Sequence, residues 1–226
     1  AKFDRGTLAH PDPKAMDELA DMLTRAKTPV ILAGYAGRNH SAFYDLVKLA
    51  EAAGAAVVDL NQRLNFPTTH QLNVSYTQQE LLTQADLILA VDVKDLYGPL
   101  VKTDRVKRET KYVIPKDCQI AEIGYRDVNI SKWSDDFQQI VPVDLQIIAD
   151  SSVALPQLVE RVRERAGRDS GTQARIGARR ESIAKLHESA RKRWSEEAKK
   201  DWDASPMTTA RLASEIWEVI KTEDWV

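Results

Sequence analysis

The stretch from Lys27 to Asp59 constrains the fold of this chain more than any other. Two short apolar runs, residues 29–33 and 55–58, lie on either side of a helical pattern over residues 41–53. Two apolar strands joined by an amphipathic helix are typical of neighbouring parallel strands with a right-handed crossover. The sequence therefore predicts a βαβ unit at this point.

Further apolar runs extend this unit into a sheet. They cover residues 87–91, 119–123 and 141–147, and a weaker run at residues 111–114 would supply a sixth strand. Five consecutive apolar residues at 87–91 indicate a strand that is buried on both faces. We expect an α/β fold, with a Rossmann-like, doubly wound parallel sheet of five to six strands and helices on both faces.

The loop after the first predicted strand is the first candidate for a binding site, because open parallel sheets bind ligands beyond the carboxyl ends of their strands. The loop reads Gly34, Tyr35, Ala36, Gly37, and the helix after it would offer free amides and a positive dipole end to a phosphate. Asp59 and Asn61 follow the neighbouring strand, where they would reach a ribose. If ADP, NAD or FAD binds, we expect these residues to hold it.

A simpler interpretation of the same loop stays open. The glycines at 34 and 37 lack the full Gly-x-Gly-x-x-Gly fingerprint, so they could serve only a tight turn from strand to helix. Asp59 would then be a strand-end acid or a helix cap. A Gly37→Val substitution should abolish nucleotide binding and leave the fold unchanged. Cys118 and His70 lack sequence partners for catalysis or metal binding, so they are predicted to be a buried residue and a loop hydrogen-bonding residue.

The composition changes after the predicted sheet. Half of residues 160–203 are charged, with acids interspersed among the bases, which favours a solvated helical linker over a nucleic-acid-binding helix. We expect three regions, namely a Rossmann-like domain at 1–165, a long charged helical linker at 166–204 and the start of another domain at 205–226. The last region opens with an amphipathic helix.

Charge and hydropathy narrow the class of protein. A formal net charge of −2 gives no general attraction to nucleic acid or to an acidic membrane surface. No apolar run approaches the roughly 18–20 residues of a membrane span, and one cysteine excludes an internal disulfide. We expect a cytoplasmic protein that binds neither nucleic acid nor membrane.

Four segments in order resemble the central domain of thiamine-diphosphate-dependent enzymes of the acetolactate synthase and benzoylformate decarboxylase group. They are residues 26–34 (AKTPVILAG), 49–55 (LAEAAGA), 65–72 (NFPTTHQL) and 85–91 (ADLILAV). Residues 205–226 are similar to the opening of that family's carboxyl-terminal, diphosphate-binding domain. The resemblance implies a three-domain subunit of which this chain supplies the middle.

The resemblance also implies an activity and partners for the full-length parent. That parent would be a lyase or transferase, such as a decarboxylase or a synthase, acting on carbon–carbon bonds next to the carbonyl of a 2-oxo acid. It would use thiamine diphosphate and Mg²⁺, and it would assemble with its other domains into a homodimer or homotetramer. The alternatives are a free-standing nucleotide-binding Rossmann-like protein and a noncatalytic interaction module.

The family's catalytic motifs have no counterpart in this sequence. It contains no Gly-Asp-Gly motif for magnesium and diphosphate, and no segment matching the domain that supplies the ring-activating glutamate. We therefore expect no catalytic residue and no metal ligand here, and an isolated chain that is inactive and binds no thiamine diphosphate. The family's flavin-associated glycines are replaced by Asn73-Val74-Ser75-Tyr76, and its Gly-Asp-Ala turn by Ala149-Asp150-Ser151.

Overall fold

The computed structural model describes residues 7–60, 63–104, 106–125 and 140–223. The strands are β1 (Pro29–Ala33), β2 (Ala56–Asp59), β3 (Leu87–Val91), β4 (Val101–Asp104), β5 (Glu109–Tyr112), β6 (Gln119–Gly124) and β7 (Leu145–Ile148). The helices are α1 (Pro13–Arg25), α2 (His40–Ala53), α3 (Gln78–Leu82), α4 (Tyr97–Leu100), α5 (Ser151–Arg168), α6 (Ser170–Lys199) and α7 (Thr209–Ile220). Single turns of 3-10 helix lie at Ala36–Arg38 and Ser75–Thr77.

Five strands form one parallel sheet in the order β2-β1-β3-β6-β7. At its centre, Ala33 at the end of β1 pairs with Asp59 of β2 on one side and with Val91 of β3 on the other. The chain moves outward from β1 in one direction to reach β2 and in the other to reach β3. This confirms the predicted doubly wound α/β fold and places its topological switch point between β1 and β3.

The predicted sixth strand of this sheet is wrong. Lys111 and Tyr112 belong to β5, which pairs antiparallel with β4 in a separate two-stranded hairpin. All four residues of β5 are exposed. The sequence of β5 is Glu-Thr-Lys-Tyr. It lacks the apolar side chains that an inner strand of a parallel sheet needs on both of its faces.

One layer of helices covers the sheet with a continuous core. α5 packs against both α1 and α2, and the three helices bury their apolar sides on alternate residues of β1, β3 and β6. The other face of the sheet is also buried, as Val30, Leu32, Ile88 and Ala90 show. The two fully buried faces explain why the strand sequences are continuous apolar runs.

The outer strand β2 is partly shielded by the chain itself. Val57 forms an isolated parallel bridge with Asn73. The Val57 amide donates to the Leu72 carbonyl and the Val57 carbonyl accepts from the Val74 amide, both at 2.9 Å. A short segment of the β2–β3 connection therefore occupies the hydrogen-bonding groups at the middle of this edge.

Close contacts divide the chain into two units, Ala1–Ala184 and Lys185–Val226. The start of α6 belongs to the first unit and is packed closely. Gly54 ends α2 with a φ of 59°, and a Cβ on it would lie 2.6 Å from the Ile176 carbonyl oxygen. The predicted linker is helical, as expected, but the expectation that it is solvated is wrong for its first turns.

Arg179 explains much of this packing. Its side chain is buried, and its guanidinium donates to the Leu23 carbonyl at 3.1 Å and to the Thr24 carbonyl at 3.4 Å. These carbonyls end α1 and have no partner within that helix. The sequence pattern counted this arginine as one more exposed charge, although it caps a neighbouring helix.

The second unit contains the end of α6 and the whole of α7. α7 begins at the cap Thr208, whose hydroxyl accepts from the Arg211 amide at 3.2 Å. Its apolar side chains are about half exposed or more, as for Leu212, Ile216, Trp217 and Val219. None of the helices within the described ranges is both long enough and apolar enough to cross a membrane.

Candidate functional site

The candidate site lies at the carboxyl edge of the sheet, around the switch point between β1 and β3. Four connections meet there, namely the loops after β1, β2, β3 and β7. In open α/β sheets the crevice between such loops is the usual ligand site. The contacts made by each loop therefore decide what this edge can bind.

Gly34 is required by close packing between the loops after β1 and β3. Its amide donates to the Val91 carbonyl at 3.0 Å. A Cβ on Gly34 would lie 2.5 Å from the Asp92 carbonyl oxygen and 2.7 Å from the Val93 Cα. The absence of a side chain thus lets two backbones approach each other. Tyr35 follows with 43% of its surface exposed, and Ala36 is fully buried.

Gly37 serves a second backbone approach, with the loop after β2. Its amide donates to the Asn65 side-chain oxygen at 2.9 Å. A Cβ on Gly37 would lie 2.1 Å from the Leu64 carbonyl oxygen. The expectation that Gly37→Val leaves the fold unchanged is therefore wrong, since any side chain here collides with backbone.

Asn65 is the centre of a buried network that the sequence analysis missed. The side chain is fully buried, and its amide nitrogen donates to the Gly34 carbonyl at 2.9 Å, to the Arg63 carbonyl at 2.8 Å and to Asp59 Oδ1 at 2.8 Å. Asp59 Oδ2 accepts from the amides of Asn65 at 2.8 Å and Phe66 at 3.2 Å. The predicted ribose acid is thus 7% exposed and bonded to its own loop. Asn61 lies outside the described residues.

The start of α2 is capped by Asn39. Its side-chain oxygen accepts from the Ser41 amide at 3.0 Å and from the Ser41 hydroxyl at 2.9 Å. The helix begins at His40, close to the predicted start at Ser41. One amide of the helix terminus that was expected to face a phosphate is therefore used by the cap.

An ionic cluster brings together three loops at the same edge. Arg38 lies 3.2 Å from Asp150 and 3.6 Å from Asp92, measured between nitrogen and carboxylate oxygen. The Ser151 hydroxyl donates to Asp92 Oδ2 at 2.5 Å. Asp92 has a φ of 49°, in the left-handed region, which turns the chain sharply after β3. Gly124 at the end of β6 borders this turn, with its Cβ position 3.3 Å from the Asp92 Cα.

The two carboxylates of the cluster have opposite electrostatic environments. Burial raises the pKa of Asp92, and the hydrogen bond from Ser151 and the charge of Arg38 only partly offset this effect. Burial acts in the same direction on Asp150, but hydrogen bonds from the hydroxyl and amide of Ser152, together with Arg38, outweigh it and lower the Asp150 pKa. Asp150 is also the N-cap of α5. The cluster therefore links the loops after β1, β3 and β7, and Arg38 is the cation that both carboxylates share.

A weak sequence signal exists for this cluster. Asp92 directly follows the apolar run of β3, and Asp150 follows β7 within two residues. Charges at strand ends fall at the same edge of a parallel sheet. From the sequence, Asp150 is identified only as part of the segment that replaces the resembled family's Gly-Asp-Ala turn, and Arg38 is not singled out.

The rim of the edge carries an exposed aromatic ring and a second arginine. The Arg63 guanidinium carbon lies 5.2 Å from the centre of the Tyr35 ring, in a cation–π contact. Arg38 is also partly exposed, with 30% of its side chain accessible. The surface above the ionic cluster therefore offers one π face and two guanidinium groups.

Other candidate groups have structural contacts. His70 Nδ1 accepts from the Leu72 amide at 3.1 Å, and its Nε2 lies 3.3 Å from Glu51 Oε1, as expected for a loop residue. Burial raises the pKa of the Cys118 thiol to about 12, with the nearby carboxylates of Asp86 and Asp117 contributing, so it is a poor nucleophile. Among the residues whose positions are described, no three His, Cys, Asp or Glu side chains gather as metal ligands.

The strand order and the crossover loops define a doubly wound α/β domain with its candidate site at the β1–β3 switch point. A family model described as "Thiamine pyrophosphate enzyme, central domain" matches residues 16–158. The chain belongs to this family. No match was found among curated proteins.

Two solved structures that are similar to part of this chain come from longer proteins. One is assigned to a thiamin diphosphate-dependent enzyme from Mycobacterium smegmatis, with a TM-score of 0.53 and 20% identity over 72% of this chain and 30% of that one. The other is benzoylformate decarboxylase from Polynucleobacter necessarius, with a TM-score of 0.48 and 20% identity over 71% of this chain and 29% of that one. At 20% identity the likeness to the first structure shows the fold alone. The chain spans less than a third of either protein's length.

Proposed function

We propose that this chain is the central scaffold domain of a thiamine-diphosphate-dependent enzyme. Its membership of the central-domain family supports the parent class. The scaffold role is supported by the position of Asn65. Its side chain accepts a hydrogen bond from the Gly37 amide and donates one to the Gly34 carbonyl. The turn that would cradle a phosphate is filled by the protein's own loop.

The proposed parent acts on carbon–carbon bonds next to a carbonyl, most simply that of a 2-oxo acid, as a lyase or transferase of the acetolactate synthase type. The described residues do not fit thiamine diphosphate with Mg²⁺, since no cluster of metal-ligating side chains is found among them and the sequence has no Gly-Asp-Gly motif. We assign the cofactor's ligands to other domains of the parent. This chain would then orient those domains within a cytoplasmic dimer or tetramer.

The proposal divides the chain into a central domain at 1–165, a charged helical linker at 166–204 and the start of a diphosphate-binding domain at 205–226. The amphipathic helix α7, with its exposed apolar side chains, supports the last assignment, because such a face requires a partner.

A test compares this chain with a longer polypeptide that carries the missing domains. Calorimetric titration with thiamine diphosphate and Mg²⁺ should show binding for the longer polypeptide and none for this chain alone. Binding by this chain alone at micromolar affinity would refute the assignment of the cofactor ligands to other domains.

A nucleotide site at the same edge is the second candidate. The exposed Tyr35 ring beside Arg63 and Arg38 favours it, because an aromatic face can stack a base and guanidinium groups can pair with phosphate. Since the Gly37 amide is already bonded, the phosphates would have to lie above Gly34 to Gly37, toward these side chains. Asn61 would remain a candidate for the ribose, whereas Asp59 would have to give up bonds to its own loop to reach one.

Thermal unfolding with ADP, NAD or FAD separates the two candidates. A scaffold predicts no change in melting temperature at about 1 mM ligand, whereas a site with a dissociation constant of about 10 µM predicts a stabilisation of about 2.7 kcal/mol. If a shift occurs, Tyr35→Ala should remove it. Tyr44→Ala is the matched control, since Tyr44 is similarly exposed on α2.

A further inference from the structure

His70 joins two parts of the first unit through the two nitrogens of its ring. On one side, Nδ1 accepts a hydrogen bond from the Leu72 amide at 3.1 Å. On the other side, Nε2 lies 3.3 Å from Glu51 Oε1 on α2. Because Nδ1 accepts, a neutral ring carries its proton on Nε2 and donates it to Glu51. Both contacts therefore exist together only while the ring is neutral.

The Leu72 amide belongs to the segment that lies along β2. The Leu72 carbonyl accepts from the Val57 amide, and the Val74 amide donates to the Val57 carbonyl. Between them, the Asn73 amide donates to the His70 carbonyl at 2.9 Å. The backbone and the ring of His70 thus close a short turn, and the residues that follow it are paired with the sheet.

The same segment reaches the carboxyl end of β2. Asn73 Oδ1 accepts from the amide of Ser75 at 3.2 Å and from its hydroxyl at 2.8 Å. The Ser75 hydroxyl in turn accepts from the Asp59 amide at 2.9 Å. A chain of hydrogen bonds therefore connects the turn at His70 to the strand end that borders the candidate site.

A second proton on the ring competes with the Leu72 amide for the same lone pair. An imidazole takes up this proton between about pH 8 and about pH 5. Both nitrogens of an imidazolium are donors, so the Leu72 amide would then face another donor. The contact with Glu51, the charged group that faces the ring from α2, responds in the opposite way because it becomes an ion pair. Phe66, which packs edge-on against the ring at 5.0 Å between centres, carries no charge.

We propose that His70 is a pH-dependent switch in the β2–β3 connection. At neutral pH the ring holds both α2 and the Leu72–Val74 segment, and at mildly acidic pH it holds α2 alone. The segment then lacks one hydrogen bond and opens more often. The side chains of His70 and Glu51 are 17% and 46% exposed, so protons and water reach the pair. The proposal does not depend on the thiamine diphosphate chemistry of the parent.

Amide hydrogen exchange of the full chain, followed at single residues by NMR, tests the switch. Between about pH 7.5 and about pH 5, the protection factor of the Leu72 amide should fall by about fivefold or more, and that of Val74 should fall with it. The Leu89 amide in the central strand β3 reports the pH dependence of the whole domain, to which groups such as Asp92 contribute. The fall at Leu72 should exceed the fall at Leu89.

His70→Asn is the decisive variant. A carboxamide oxygen can take the position of Nδ1, and it accepts a hydrogen bond at both pH values. The excess fall at Leu72 should therefore be absent from this variant. His10→Asn is the matched control, since His10 is exposed and lies before α1, and its response should equal that of wild type.

Nitrogen NMR of the His70 ring in the unchanged protein gives a second measurement that needs no variant. At about pH 7.5 the ring should carry its proton on Nε2, and at about pH 5 it should carry protons on both nitrogens. A ring protonated on Nδ1 at the higher pH, equal falls in protection at Leu72 and Leu89, or a His70→Asn variant that keeps the excess fall would each overturn the proposal.

Discussion

The side-chain oxygen of Asn65 lies 2.9 Å from the amide nitrogen of Gly37, at the place where a bound phosphate would otherwise receive a backbone hydrogen bond. The other end of the same amide group holds Asp59 and the Gly34 carbonyl. One buried side chain thus joins the turn after β1 to the loop after β2. The base of this edge is therefore filled by the protein's own hydrogen-bonded loops. Tyr35, Arg38 and Arg63 lie at its rim.

Removing Asn65 should destabilise the domain strongly. Asn65→Ala leaves the Gly37 amide, two backbone carbonyls and the Asp59 carboxylate short of partners, and we expect a loss of about 2–4 kcal/mol in the free energy of unfolding. Asn39→Ala, which removes the cap of α2, should cost only about 1 kcal/mol. Urea unfolding of both variants measures the difference, and equal losses would contradict the central role given to Asn65.

Glycine positions should respond to alanine according to their surroundings. Gly37→Ala should lower the free energy of unfolding by about 2 kcal/mol or more, because the new Cβ would meet the Leu64 carbonyl oxygen at 2.1 Å. Gly177 lies within α6 with nothing within 4 Å of its Cβ position. Gly177→Ala should therefore stabilise the chain by about 1 kcal/mol. Opposite signs in urea unfolding are the expected outcome, and a stabilising Gly37→Ala would contradict it.

The ionic cluster should give two opposite pH dependences. The pKa of Asp92 is raised in the folded state, so its contribution to stability is complete below the unfolded value of about 3.9 and falls as pH rises through the folded value. Asp92→Asn should therefore become progressively more stable relative to wild type as pH increases from about 3 to about 7. The diagnostic is the slope of this difference, because the substitution also changes the contacts with Arg38 and Ser151 by an amount independent of pH.

Asp150 should show the reverse slope. Its pKa is lowered in the folded state, so its stabilising contribution is present above the unfolded value and is lost as pH falls through the folded one. Asp150→Asn should be less stable than wild type at neutral pH, and the gap should close toward low pH. Denaturant titrations over the same pH series provide the test, and parallel slopes for the two variants would show that the assignment is wrong.

Cys118 should be inert while the protein is folded. With a pKa of about 12, its thiolate population at pH 8 is about a thousandfold below that of a free cysteine, and alkylation by iodoacetamide should slow accordingly. In denaturant the rate should return to that of a free cysteine. Mass spectrometry of the time course measures both rates. Rapid labelling of the folded chain would show that the thiol is neither buried nor surrounded by carboxylates as described.

Arg179 should matter far more than its exposed neighbour Arg180. Arg179→Ala leaves the Leu23 carbonyl without its donor and the Thr24 carbonyl with only the Arg175 guanidinium at 3.4 Å. It should cost about 2–3 kcal/mol in the free energy of unfolding, whereas Arg180→Ala should stay within about 0.5 kcal/mol. Arg179→Met keeps the apolar stem and removes a charge whose burial is itself costly, since burial lowers the Arg179 pKa. It should therefore cost less than alanine. A methionine variant as unstable as the alanine variant would show that the hydrogen bonds outweigh the packing.

The strands at the centre of the sheet could be predicted to the residue, because burial on both faces leaves a continuous apolar run. β1 and β3 match the predicted 29–33 and 87–91. β7 begins at Leu145 and not at the predicted residue 141. Pro142 has no amide to donate, and the Ile120 amide donates to the Asp144 carboxylate at 2.7 Å and not to a backbone carbonyl. The first backbone bond to β6 is made by the Asp144 amide, which donates to the Ile120 carbonyl at 2.8 Å, so the strand begins directly after it.

The candidate site was predicted less well because its contacts are made between loops distant in sequence. Arg38, Asp92 and Asp150 come from three connections, and no spacing relates them. Asn65 lies at the start of the 65–72 segment, in a loop, where an amide that fills a gap between backbones has no periodic signature. Asp59 was correctly noted as a strand-end acid under the simpler interpretation, and its carboxylate holds the loop that follows it.

The bridge between Val57 and Asn73 covers part of the outer edge of the sheet, where a strand from another molecule could otherwise add. A parallel sheet ends in strands whose outer amides and carbonyls can template the addition of a foreign strand, the first step toward aggregation. Here the Leu72–Val74 segment takes up both outward groups of Val57, halfway along β2. An incoming strand could not form a continuous ladder along this edge without displacing a connection that is already hydrogen-bonded. The β2–β3 connection therefore hinders the addition of a foreign strand at the β2 edge, in addition to joining the two strands.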